Sequence, residues 1–197
     1  MSIAEDKFER RTDEELMLGL ASGESQCIDH LFLRHRQRVY AFFRRRVWDR
    51  ARAEDLTQET FVAILRAARR YRAVASFRAY LFGIAFGLLR SYRTKAVLRS
   101  LSPFSRVKEE GREPAVSEEI LWLRQGLARL DETDREILTL REYEQLQYAE
   151  IASLLKLPIN TVRSRLFRAR EALREQLAGQ GRAKQMADGT EKSAGET

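Results

Sequence analysis

Arg163, Ser164, Phe167, Arg168 and Arg170 crowd one short stretch, with Asn160 and Thr161 just before them. These side chains suit recognition rather than bond breaking, because Arg can bond a guanine edge in bidentate fashion or hold a phosphate. Val162, Leu166, Ala169 and Leu173 fall at i, i+4, i+7 and i+11 of the same stretch and make one apolar stripe, which leaves the arginines on the opposite side. Ahead of them Ile151, Leu154 and Leu155 stand at helical spacing, and Ala149 and Ala152 are small enough to let another helix come close. Pro158 ends that support helix near Lys156-Leu157 and opens the next between Pro158 and Thr161. A support helix, a tight turn and an arginine-faced second helix form the arrangement that lays its second helix in the DNA major groove. An ordinary helical hairpin with a solvated basic face satisfies the same pattern.

A second set of polar residues lies earlier. Within Ala53 to Ala68 the pattern puts Phe61, Ile64, Leu65 and Ala68 on one helix side and Asp55, Gln58, Glu59 and Val62 on another. This acidic cluster would repel phosphate, so it is either a solvated helix start, where carboxylates suit the helix dipole, or a face for a basic protein partner. Immediately after it, from Thr60 to Lys108, there is neither Asp nor Glu. Arg70, Tyr71, Arg72, Phe77, Arg78 and Tyr80 lie in this acid-free run, around a loop over Arg69 to Phe77 and the start of a helix from Arg78 to about Lys95. Aromatics interleaved with arginines suit a single strand, since a base can stack on a ring while cations hold its backbone. With Leu81, Ile84, Ala85 and Leu88 as the expected buried stripe, Tyr71, Phe77 and Tyr80 are the surface candidates.

The elements that position these groups are expected to be helical throughout, because the 197 residues hold only 3 prolines and 10 glycines. Lys and Arg number 36 against 29 for Asp and Glu, a net charge of +7 that favours a polyanionic partner. Cys27 is the single cysteine, so no internal disulfide forms and packing is its expected role; with only His30 and His35 beside it, neither a zinc site nor a catalytic constellation has its ligands. No signal peptide or membrane span is recognisable, and a soluble cytoplasmic protein is expected. Thr12 with Glu15 reads as a capping box for a first helix ended by Ser22-Gly23-Glu24, and a helix from about Ser25 to Val47 carries Leu31, Val39, Phe42 and Val47, its arginines forming a solvated face. The chain thus divides into a domain over 1–97, a linker over 98–116, a domain over 117–178 and a disordered tail over 179–197. In the second domain Ile120, Leu123, Leu127 and Leu130 share one helix face, and Thr133 with Glu136 resembles another capping box.

Taken together, these segments resemble an extracytoplasmic-function (ECF) sigma factor of bacterial RNA polymerase over about Asp29 to Leu177. AEDLTQETF at Ala53 to Phe61 is similar to the family's polymerase-binding helix, SFRAYLFGIA at Ser76 to Ala85 to its strand-opening segment, and DREILTLREYEQL at Asp134 to Leu146 to the lead-in to its second domain. YAEIASLLKLPINTVRSRLFRAREAL is similar to its reader of the upstream promoter element. The resemblance implies an all-α fold of two small helical domains joined by a flexible linker, the C-terminal one a four-helix unit with a helix-turn-helix. It implies core RNA polymerase and promoter DNA as partners, an anti-sigma factor as restraint, no cofactor and no catalysis. By the same resemblance Asp55, Gln58 and Glu59 touch polymerase, and Arg70 to Phe77 capture a base of the opened downstream element, flanked by Arg78 and Tyr80. Asn160, Thr161, Arg163, Ser164, Phe167, Arg168 and Arg170 face the upstream element as duplex. Tyr80 stands where the family usually has Trp, Phe86-Gly87 where it has Arg-Asn, and Gln147 where Ser or Thr commonly caps the support helix. A response-regulator-like protein would need an α/β receiver, and the amino-terminal half shows neither strands nor a phosphate-binding glycine loop.

Overall fold

A computed structural model describes residues 7–47, 49–100 and 125–193, and every regular element among them is helical. The chain forms two compact units, Met1–Arg112 and Glu113–Thr197. Most of the expected linker, together with Ile120 and Leu123 of the expected helix face, lies outside the described residues.

In the first unit, α1 spans Asp13–Ala21, α2 Cys27–Arg44, α3 Arg50–Ala67 and α4 Phe77–Ser100, with a 3-10 turn at Ala68–Arg70 between α3 and α4. The box at Thr12 forms: Glu15 N–H donates to the Thr12 hydroxyl (3.2 Å) and Thr12 N–H to the Glu15 carboxylate (2.7 Å). At the other end of α1, Gly23 takes a left-handed φ of 102° while Glu24 N–H reaches the Gly19 carbonyl (2.9 Å) and Gly23 N–H the Leu20 carbonyl (3.1 Å). That closure is a Schellman motif, which satisfies two carbonyls the helix would otherwise leave open. Gly19 also lets α2 approach, since a Cβ there would lie 2.8 Å from the sulfur of fully buried Cys27.

Leu16, Leu31, Phe42, Phe43, Leu56 and Ile64 lie at the centre of this unit, all but inaccessible to solvent. Phe42 stands 5.4 Å from Phe82 of α4, a distance at which tilted rings attract beyond their burial. The expected solvated face of α2 is in part a set of clamps. Arg34 donates to the Arg11 carbonyl (2.7 Å), Asp13 (3.0 Å) and the Phe8 and Glu9 carbonyls (3.1 and 2.8 Å), fastening the chain ahead of α1. Arg46 covers the Phe42 ring at 3.9 Å.

Two expected stripes are corrected. On α3 the buried positions are Ala53, Leu56, Thr57, Thr60, Phe61 and Ile64, and Leu65 is 50% exposed. On α4 they are Phe77, Leu81, Phe82, Ala85 and Leu89, whereas Ile84 and Leu88 are only partly covered. Apolar residues surround the first turns of α4 on every side, so spacing alone did not choose between two adjacent stripes.

The second unit comprises a helical segment at 125–129, then α5 at Glu132–Glu142, α6 at Tyr148–Leu155 and α7 at Ile159–Ser193. Asp131 caps α5, its carboxylate accepting from Thr133 N–H at 3.0 Å, so the cap lies two residues before the expected Thr133. Ile137, Leu140, Leu146, Ile151, Val162 and Leu166 form the buried centre. The backbone of α7 is helical as far as Ser193, through much of the segment whose composition suggested disorder; the last four residues, 194–197, lie outside the described range. Isolated glycines among Ala, Lys, Gln and Glu weaken a helix without forbidding it.

Candidate nucleic-acid and protein interfaces

The turn between α6 and α7 sets the angle of the basic helix. Lys156 adopts the left-handed conformation (φ 56°, ψ 45°), and Leu157 N–H bonds the Ala152 carbonyl at 2.9 Å while Lys156 N–H points to Ser153 at 3.4 Å. This is the Schellman closure of α1 with lysine in place of glycine. Pro158 follows at once and accepts from Val162 N–H at 3.1 Å, starting α7. Ahead of α6, Gln147 and Glu150 form a capping box in which the Glu150 carboxylate accepts from Gln147 N–H at 2.8 Å. Ile151 and Ala152 are buried, Leu154 and Leu155 half-buried, and Ala149 exposed.

Along α7, Val162, Leu166 and Ala169 are buried as the spacing predicts, and Leu173 is partly covered. Asn160, Arg163, Ser164, Phe167, Arg168 and Arg170 are exposed, and Thr161 is half-buried at the edge. Phe167 is 66% exposed, a bare ring among cations. Arg170 is the exception within the set, because its guanidinium bonds the Glu142 carboxylate of α5 (Nε–O 3.0 Å). Arg165, which the sequence did not single out, leaves the basic face and donates to Asp134 (2.9 Å) and Asp131 (3.3 Å). It ties α7 to the capped start of α5, and the Asp131/Asp134 spacing was the available signal.

On α3, Asp55, Gln58 and Glu59 are exposed together. Arg52 lies between the two acids, 3.5 Å from Asp55 and 3.2 Å from Glu59, with its guanidinium 5.3 Å over the Tyr92 ring. Val62 (44% exposed) and Leu65 (50%) continue the same helix side, so the acidic group passes into an uncovered apolar strip.

The loop at 71–76 differs most from expectation. Tyr71 and Phe77 are 3% and 0% exposed, so neither ring offers a stacking surface. Tyr71 meets Tyr80 edge-on at 5.0 Å, and Phe77 stands 5.4 Å from the ring of His35, itself 2.7 Å from Asp13. Burial alone would push the Asp13 carboxyl up, but hydrogen bonds from His35 and Arg34 outweigh it and hold the group below the usual Asp range. Tyr80 is half-buried; Arg70 and the whole of 72–76 are exposed, Val74 at 91%, and Arg78 is partly covered. The aromatic ends are therefore anchors and the segment between them is the surface. At the start of α4, Ala79 N–H donates to the Ser76 hydroxyl (3.1 Å), Tyr80 N–H to the Ser76 carbonyl (3.1 Å) and Phe77 N–H to the Glu14 carboxylate of α1 (2.7 Å). No sequence signal marked Glu14, which lies far from the loop along the chain.

Residues 31–98 match the family described as Sigma-70 region 2, and residues 120–173 the one described as Sigma-70, region 4. A helical unit with an acidic helix and an anchored basic loop, together with a helix-turn-helix unit, defines a sigma-70-type initiation factor. The chain is 32% identical over 178 residues to the RNA polymerase sigma-H factor of Pseudomonas aeruginosa, covering 82% of this chain and 91% of that protein. It is 31% identical over 183 residues to the ECF RNA polymerase sigma-E factor of Escherichia coli K12, with 84% and 94% covered. The solved structure of CnrH in complex with the cytosolic domain of CnrY matches with a TM-score of 0.63 at 26% identity, over 85% of this chain and 97% of that one. RpoE of Bartonella quintana, solved with the anti-sigma factor NepR, shares the fold at a TM-score of 0.64 and 23% identity, over 78% and 98%. This chain belongs to the extracytoplasmic-function sigma factors. Its general activity is promoter-directed transcription initiation with RNA polymerase, and members of the family are initiation factors rather than enzymes. No helix among the described residues is long and apolar enough to cross a membrane.

Proposed function

We propose that this sigma factor reads its upstream element as duplex through α7 and its downstream element as an opened strand through the loop at 71–76. The observation that carries the first half is the exposed face of Arg163, Ser164, Phe167 and Arg168 over the buried stripe of Val162, Leu166 and Ala169. Guanidinium forks and a bare ring can read base edges and the thymine methyl, whereas a merely solvated face has no reason to expose Phe167. Asn160 and Thr161 lie at the start of the helix, where backbone and side-chain donors suit phosphate. Arg170 adds a phosphate contact only where Glu142 releases it. For the opened strand, the exposed residues Arg70 and Arg72, the latter donating to the Tyr71 carbonyl at 3.1 Å, beside Arg78 and the uncovered part of Tyr80, support capture; Tyr71 and Phe77 serve as supports for the loop.

Asp55, Gln58 and Glu59 meet core polymerase, and Val62 and Leu65 extend that contact with apolar area. An anti-sigma factor is a further partner; RpoE of Bartonella quintana was solved with one, NepR, and CnrH with the cytosolic domain of CnrY. The test is selection of randomised upstream elements with core polymerase, comparing the protein with Arg168→Ala. Relaxed preference at one base position is the expected result. Unchanged preference and unchanged affinity would return α7 to a packing role.

A further inference from the structure

The first turn of α4 closes the loop at 71–76, and its N–H groups need acceptors because no preceding helical turn supplies them. Ser76 satisfies Ala79, a local cap that the sequence contains. Phe77 N–H is satisfied from another element, by Glu14 of α1 at 2.7 Å. Between Thr60 and Lys108 the chain has no acid at all, so a carboxylate for this helix start, where the dipole favours negative charge, has to come from elsewhere. Asp13, next to Glu14, bonds His35, and His35 backs the Phe77 ring. The adjacent acids of α1 therefore hold the same residue from two sides, one at its N–H and the other behind its ring. Burial, then the charge of Glu14, pushes the Tyr71 hydroxyl up, so that charge is felt at the first residue of the loop as well as at its end.

We propose that Glu14 is a positioning residue for strand capture: by holding Phe77 N–H it fixes the exposed segment 72–76 in its capturing shape while making no contact with DNA itself. This rests on the strand-capture reading of the loop given above. Removing the carboxylate frees the first turn of α4, and Arg72 loses its fixed relation to Arg78 and Tyr80 across the loop. Binding of polymerase through α3 and of duplex through α7 does not depend on that turn.

The experiment uses the full chain with core polymerase and compares Glu14→Ala, Glu14→Gln and Arg72→Ala. Transcription is measured on linear duplex and on a template pre-opened across the downstream element, alongside competition for core polymerase and thermal melting. Glu14→Ala should lower duplex transcription about tenfold and pre-opened transcription less than about twofold, with core binding unchanged. Glu14→Gln, whose amide oxygen still accepts from Phe77 N–H, should recover most of the loss. Should Glu14→Ala melt too low to assay, Glu14→Asp, one methylene shorter, carries the same expectation. Equal loss on both templates, or a fall in core binding that tracks melting temperature, makes Glu14 a stability residue and overturns the inference. If Arg72→Ala impairs opening and Glu14→Ala does not, only the inference fails. If Arg72→Ala leaves opening intact, the strand-capture reading of the loop fails with it.

Discussion

Arg170 of α7 donates from Nε to the Glu142 carboxylate of α5 at 3.0 Å, so one cation of the basic face is already engaged within the protein. Both side chains are more than two-fifths exposed (43% and 48%), and an ion pair in that setting contributes only about 0–1 kcal/mol to stability. Its larger effect is on charge available to DNA. Glu142→Gln should leave the fold intact, strengthen duplex binding at low salt and steepen the slope of log K against log salt by about one unit, the signature of one more phosphate contact. A titration across salt concentrations measures this, and an unchanged slope would mean that Arg170 does not reach phosphate.

The acidic face of α3 should matter for polymerase and not for folding. Asp55 is 59% exposed and, among the described residues, pairs with Arg52 at 3.5 Å, so Asp55→Arg disturbs no buried group. It does place a second cation beside Arg52 on a face proposed to meet basic residues, where like-charge contact costs several kcal/mol. Pull-down of core polymerase should be lost while the helical circular dichroism is retained. Leu65→Ala should weaken the same pull-down by a smaller margin, roughly 1–2 kcal/mol, since an exposed leucine has no core role to lose.

Arg163 and Arg168 separate two kinds of contact. Alanine at either position should cost roughly 1–3 kcal/mol and relax preference at one upstream position if the side chain bonds a base. A phosphate contact would instead weaken all sequences alike and reduce the salt slope by about one. Arg165→Ala, by contrast, removes the bonds to Asp131 and Asp134 and should lower the melting temperature without altering base preference.

The helix-turn-helix was legible because a strict stripe, a proline and the arginines opposite it all favoured one arrangement, and Val162, Leu166 and Ala169 are indeed buried. On α3 the shared exposure of Asp55, Gln58 and Glu59 follows the helical pattern, but that of Leu65 does not. Leu65 fits the apolar stripe by spacing, and no element among the described residues covers it, which leaves it 50% exposed. Around the loop the sequence showed rings among arginines and could not tell a platform from an anchor. That distinction depends on α1, whose Glu14 bonds Phe77 N–H and whose Asp13 bonds His35 behind the Phe77 ring, both from far along the chain. The cap of α5 was misplaced for a smaller reason: Asp131 and Thr133 both suit a helix start, and only the bond from Thr133 N–H decides between them.

The last prediction concerns Lys156, where the chain repeats a closure it makes elsewhere with glycine. At Gly23 and at Lys156 the following residue's N–H returns to the carbonyl five residues back, Glu24 to Gly19 and Leu157 to Ala152, both at 2.9 Å. Glycine adopts the left-handed conformation without steric cost, whereas a side chain there costs roughly 1–2 kcal/mol. Lys156→Gly relieves that strain but loosens the unfolded chain, an opposing effect of about 0.4–1 kcal/mol. The first effect is the larger, so the second unit should gain up to about 1.6 kcal/mol. Lys156→Val should move the other way by more than that, because a β-branched residue tolerates a positive φ poorly. Denaturant melts of the two variants measure both signs. Since the turn sets the angle at which α7 leaves α6, Lys156→Gly should keep the base preference of the upstream element, while Lys156→Val should weaken recognition along with stability. A glycine variant that is clearly less stable than the parent would mean that the lysine side chain stabilises the turn by more than the strain it bears.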